Sequence, residues 1–178
     1  MKFGRKPSAG GRLAALASRI EKVVKEDAER IRRMEETAAL RRRAAAELHA
    51  LCAGLVAELN ALLSRPLVEL SPPEFAAENF REDASNVFQI NISGRIVHLE
   101  FHSVGALSST DKFPKPYILE GAIRAFNQEM LELSLVPEQR LFCCAESGRL
   151  NWLWVDPRTQ RAAPFDRERL TAILERLV

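Results

Sequence analysis

The chain has 178 residues, 47% hydrophobic and 28% charged, with a net charge of +2. Those values exclude a disordered chain and allow one ordinary domain plus an appendage. No run of about 18 or more apolar residues marks a membrane span, and "MKFGRKPSAGGR" lacks a following signal-peptide core. With an odd count of three cysteines, Cys52, Cys143 and Cys144, the expected location is cytoplasmic, without a membrane partner.

The small net charge hides an asymmetry. Residues 1–50 carry 13 Lys/Arg against 7 Asp/Glu, whereas residues 51–100 carry 3 against 7. The first eleven residues read as a flexible basic tail. From Arg12 to Ala53 there is neither Gly nor Pro. Alternate steps of four and three give Leu13, Ala17, Ile20, Val24, Asp27, Ile31, Met34, Ala38, Arg41, Ala45, Leu48, Cys52, Leu55, Leu59 and Leu62. Only Asp27 and Arg41 interrupt this apolar series. The pattern predicts one long helix over residues 12–64 with a coiled-coil seam.

The stripe is narrow from Leu13 to Arg41 and widens after Ala44, with Leu51, Val56 and Leu63 added. The second half is therefore expected to pack on a domain and the first half to project and seek a partner helix. Asp27 and Arg41 lie symmetrically about Met34, which suggests an antiparallel pair with Asp27 opposite the partner's Arg41. Val24 and Ile31 at one seam position argue instead for a parallel pair. Arg32-Arg33 and Arg41-Arg42-Arg43 offer a second use for the helix, contact with nucleic acid. Interleaved acids make a solvated helix face the plainer reading.

Residues 65–178 read as an α+β domain, a mostly antiparallel sheet of about five strands with a C-terminal helix. "SPPEF" looks like a capping box, with Ser71 as N-cap and Pro72 opening a short helix to about Phe80. "VFQINISGRIVHLEFHS" reads as a hairpin turning at Ser93-Gly94, with Ile90 opposite Val97 and Phe88 opposite Leu99. A polar loop, "VGALSSTDKFPKP", should follow. Residues 117–126 fit a strand or a helix, and the strand is preferred, with Asn127 capping a short helix. A second hairpin turns at Ser147-Gly148, and a connection "DPRTQRAAP" leads to a final helix capped by Asp166.

Three constellations could carry chemistry. His98, Glu100 and His102 alternate on one strand face, a ligand type set seen at metals. Yet His98 and His102 would stand about 13 Å apart, too far to share one ion without a bulge. Cys143 and Cys144 point to opposite faces and cannot chelate together. Trp152 and Trp154 share one face of a hairpin that is apolar on both sides, so each side needs a cover. No phosphate loop, nucleophile elbow or paired-cysteine motif is present, and no cofactor is expected. The leading expectation is a non-enzymatic assembly protein, self-associating or pairing with another protein, with Trp152, Trp154, Asp27 and Arg41 as partner contacts. A nucleic-acid module using Arg32, Arg33 and Arg41 to Arg43 comes second. A metal-dependent enzyme using His98, Glu100 and His102 comes third.

Overall fold

The computed structural model describes residues 9–110 and 113–178. The expected basic tail lies mostly outside the described residues, while Ala9, Gly10 and Gly11 already belong to the first helix. Helix α1 runs from Ala9 to Leu62. Seven strands follow: β1 (Val68–Ser71), β2 (Asn86–Ile92), β3 (Arg95–Thr110), β4 (Phe113–Phe126), β5 (Glu138–Glu146), β6 (Arg149–Val155) and β7 (Ala162–Pro164). Helix α2 (Gln128–Glu132) lies between β4 and β5, and α3 (Arg167–Glu175) closes the chain. Each strand pairs antiparallel with its sequence neighbour, giving a simple meander. The α+β class therefore holds, with seven strands among the described residues rather than about five.

The chain divides into two compact units, residues 1–37 and 38–178. In the first, α1 is stabilised by its own ion pairs one turn apart, Lys22–Glu26, Arg33–Glu29 and Arg32–Glu36. In the second, Ala44, Ala45, Leu48, Cys52, Leu55 and Val56 of α1 are buried against one sheet face. Leu170, Ile173 and Leu174 of α3 join the same core. By length and composition alone, residues 10–62 could cross a bilayer. About a third of its apolar window is buried against this core.

Both Ser-Gly turns form as expected. Ser93 and Gly94, and Ser147 and Gly148, all have positive φ, the type I′ requirement that matches strand twist. The first hairpin has the expected register, Phe88 opposite Leu99 and Ile90 opposite Val97. Asn127 and Asp166 cap α2 and α3 by accepting backbone N–H bonds from Met130 and Arg169.

Three expectations fail locally. Ser71 caps no helix, because its backbone is spent in β1 opposite Gln89. Pro72 precedes Pro73, which disfavours helical dihedrals at Pro72. Only a single 3₁₀ turn forms, at Ala77–Asn79, and the Pro72 carbonyl packs down to the buried His49 ring at 2.9 Å. The expected polar loop is instead strand: β3 continues to Thr110 and β4 starts at Phe113, with only residues 111–112 of that stretch outside the description. Pro114 and Pro116 are tolerated because neither is paired across β3 or β5. Within "DPRTQRAAP", Ala162–Pro164 adds the short edge strand β7.

Candidate interaction surfaces

In the first unit, Leu13, Leu16, Ile20, Val23, Val24, Ile31 and Met34 are 53–67% exposed. At 100° per residue all seven fall within a stripe about 100° wide. Leu16 and Val23 lie beside the expected seam, so the stripe is broader than a strict seam. Their i and i+7 spacing was the available signal. Asp27 sits inside the stripe and is held by Arg30 of the same helix at 3.1 Å.

Arg41 is placed differently from the expectation. It lies in the second unit with its side chain 12% exposed. Its Nε donates to the Ile118 carbonyl at 3.1 Å, its Nη1 to Glu82 Oε2 at 3.1 Å, and its Nη2 to the Val104 carbonyl. These carbonyls flank a register shift between β3 and β4, where Ser103 pairs with Leu119 but Ser108 with Tyr117. The extra residues on β3 free carbonyls from the ladder, and the guanidinium satisfies them. Ser103 Oγ donates to the same Glu82 oxygen at 2.9 Å. Arg41 is thus consumed inside the domain, which removes it from both a partner seam and a nucleic-acid patch.

The other arginines of the basic clusters are largely compensated. Arg32 and Arg33 pair with Glu36 and Glu29. Arg43 pairs with Glu47 at 3.3 Å and donates to the Gly148 carbonyl at 2.6 Å. Arg42 is exposed.

Trp152 and Trp154 share the helix-covered face, opposite Cys143 and Leu141 as expected. Trp152 is only 9% exposed, and its Nε1–H donates to the Ala44 carbonyl at 3.0 Å. It is a core residue, which corrects its assignment as a partner contact. Trp154 is half-buried, with the Arg169 guanidinium carbon 3.4 Å from its ring centroid. Burial, and then the charge of Arg176, push the Arg169 guanidinium below the usual arginine range. The three thiols are buried. Burial raises the Cys52 thiol to about 12 and the Cys144 thiol to about 11, and it raises Cys143 as well, so none is a reactive thiolate.

The other face of this hairpin is covered by the long β3–β4 arm. Phe113 stacks on Phe142 at 4.2 Å and Tyr117 meets it edge-on at 4.9 Å, over Cys144 and Val155. Beside this cluster the face becomes charged. Arg124 bridges Glu100 at 2.9 Å and Glu138 at 2.7 Å, and His102 meets Glu120 at 3.2 Å. His98 lies across from Arg124 in register. Glu100 and His102 therefore share a face but serve different partners. The Arg124 hydrogen bond holds the Glu100 carboxyl below the usual range. Among the described residues no three His, Cys, Asp or Glu side chains converge as a metal site. The geometry does not gather His98, Glu100 and His102 into one.

Comparison with protein-family models, with curated proteins and with solved structures finds no match for the chain.

Proposed function

We propose that the chain is a non-enzymatic assembly protein that self-associates through residues 13–34 of α1. The observation that carries this reading is the stripe of seven large apolar side chains, each more than half exposed. A contiguous apolar face of this kind marks an interaction site. With Arg41 committed elsewhere, the antiparallel register loses the ion pair that favoured it. A parallel in-register pair puts Val24 and Ile31 at one seam position and Ile20 and Met34 at the other. It also brings the two Asp27 side chains together at the seam, where Arg30 of each helix, already paired with its own Asp27, offsets part of their repulsion.

Sedimentation of the full chain at micromolar concentration tests the reading. The native chain should sediment as a dimer, and Ile20→Glu with Ile31→Glu should give a folded monomer. Oxidising an Ala17→Cys variant should link two chains through that seam position, because parallel pairing brings identical residues together. A native chain that sediments as a monomer overturns the proposal. A dimer without the Ala17→Cys crosslink overturns the parallel arrangement.

A further inference from the structure

The indole of Trp154 floors a trough between the β6 end of the sheet and α3, with a volume of about 550 Å³. Arg158, Arg169 and Arg176 line it, with Asp156 as the acid among the lining residues. None of these three arginines takes part in an ion pair among the described residues. Asp156 is already engaged, its Oδ1 accepting the backbone N–H of Arg158 at 2.7 Å and of Thr159 at 3.3 Å.

Arg169 is fixed in place. Its guanidinium carbon lies over the indole, 3.4 Å from the ring centroid, and its Nη2 donates to Gln139 Oε1 at 2.7 Å. Its Nε is buried without an acceptor. A guanidinium held against an aromatic ring, partly desolvated and outside any ion pair although Asp156 lies near it, is placed to take an anion. Met130, Ile173 and Leu177 add apolar wall, and Gln139 also lines the trough. A cavity of this size, with apolar and polar groups lining it side by side, suits a small amphipathic ligand or the end of a chain.

We propose that this trough binds an amphipathic carboxylate, its apolar body against Ile173 and Leu177 and its charge at Arg169 with Arg158 and Arg176 beside it. The site lies wholly within residues 125–177 and does not depend on assembly through α1. A free organic acid and an acidic side chain on a polypeptide share this chemistry. Inorganic phosphate has the charge without the apolar body, and octanol has the body without the charge. Both should therefore bind more weakly than octanoate.

Intrinsic fluorescence of the full chain provides the assay, because Trp154 floors the trough while Trp152 is enclosed in the core. Octanoate should give a saturable change with a Kd of about 1 mM or tighter, the range for a ligand of this size. Octanol and inorganic phosphate should each bind at least tenfold more weakly. Arg169→Gln should weaken octanoate at least tenfold. The double variant Arg158→Gln with Arg176→Gln, both at exposed positions, should weaken it at least threefold without disturbing the core. N-acetyl-Leu-Glu-Leu-amide binding more tightly than octanoate would place the carboxylate on a polypeptide, and the reverse order would place it on a free acid. Equal binding of octanol, equal binding of phosphate, or no saturable change with octanoate or the peptide would overturn the proposal. So would unchanged octanoate binding in Arg169→Gln.

Discussion

The two halves of α1 carry the same apolar repeat and meet different fates. Between residues 13 and 37, twelve of twenty-five residues are charged, whereas between Ala44 and Leu62 only Glu47 and Glu58 are. Stripe width does not separate them as the sequence suggested, since Leu16 and Val23 broaden the first stripe to about 100°. What separates them is the remainder of the helix surface. The first half can stay solvated on every other side. The second half offers Ala44 and Ala45, whose small side chains let the helix backbone approach the sheet closely enough for Trp152 to reach the Ala44 carbonyl. An apolar repeat thus specifies a helix with a sticky face, and the polarity of the remaining faces decides whether that face is core or interface.

The largest expected effect tests this contrast directly. Leu48 is fully buried, and Leu48→Ala should cost the domain about 3 kcal/mol through lost burial and a residual cavity. Ile20→Ala, on the exposed stripe, should leave the same urea transition within about 0.5 kcal/mol when measured at a concentration low enough for the chain to be monomeric. Comparable losses at the two positions would break the distinction between the halves.

A second, smaller effect concerns the polar link between α1 and the sheet. Arg41→Met strands Glu82 and the two carbonyls at the β3–β4 register shift, which should cost about 2 kcal/mol in urea denaturation. Adding Glu82→Gln should recover part of that loss, because the uncompensated carboxylate is then gone. Arg33→Met, on a surface pair with Glu29, should show no resolvable change. Equal sensitivity at Arg33 and Arg41 would mean that the network does not anchor the helix.

Much of the architecture was legible because it rests on local chemistry. The Ser93-Gly94 and Ser147-Gly148 turns, the caps at Asn127 and Asp166, and the alternation that sets Trp152 against Cys143 all follow from residues close in sequence. The missed features depend on distant partners. Arg41 reads as a seam defect until Val104 and Ile118 are brought to it across more than sixty residues of chain. Glu82 and Arg169 carry no local motif at all. The strands of "VGALSSTDKFPKP" were hidden by small polar residues and prolines, because the cue for that arm is Phe113 and Tyr117 finding Phe142. Of the two surfaces, the α1 stripe was visible as a periodicity. The Trp154 trough needed α3 to place Arg169 over the ring.

The smallest effect is the response of the outer sheet face to acid. His98 on the outer face lies opposite Arg124 on β4 and Gln89 on β2, two positions from Glu100 on its own strand. Burial holds its imidazole below the ordinary 6.5, Glu100 opposes that shift and Arg124 adds to it. The unfolded chain then takes up the proton before the folded one does. Stability from this group is present above pH 6.5 and falls as the pH drops through that value toward the lower folded one. The Glu100 carboxyl, held down by Arg124, acts separately: its contribution is lost only as the pH falls below the ordinary 4.5. The urea midpoint should therefore decline slightly from pH 6.5 to 5, and His98→Gln should flatten that decline. Glu100→Gln should keep or steepen the slope above pH 5, because Glu100 opposes the His98 shift, and reduce the loss below 4.5. A slope between pH 6.5 and 5 that survives His98→Gln would assign it to another group.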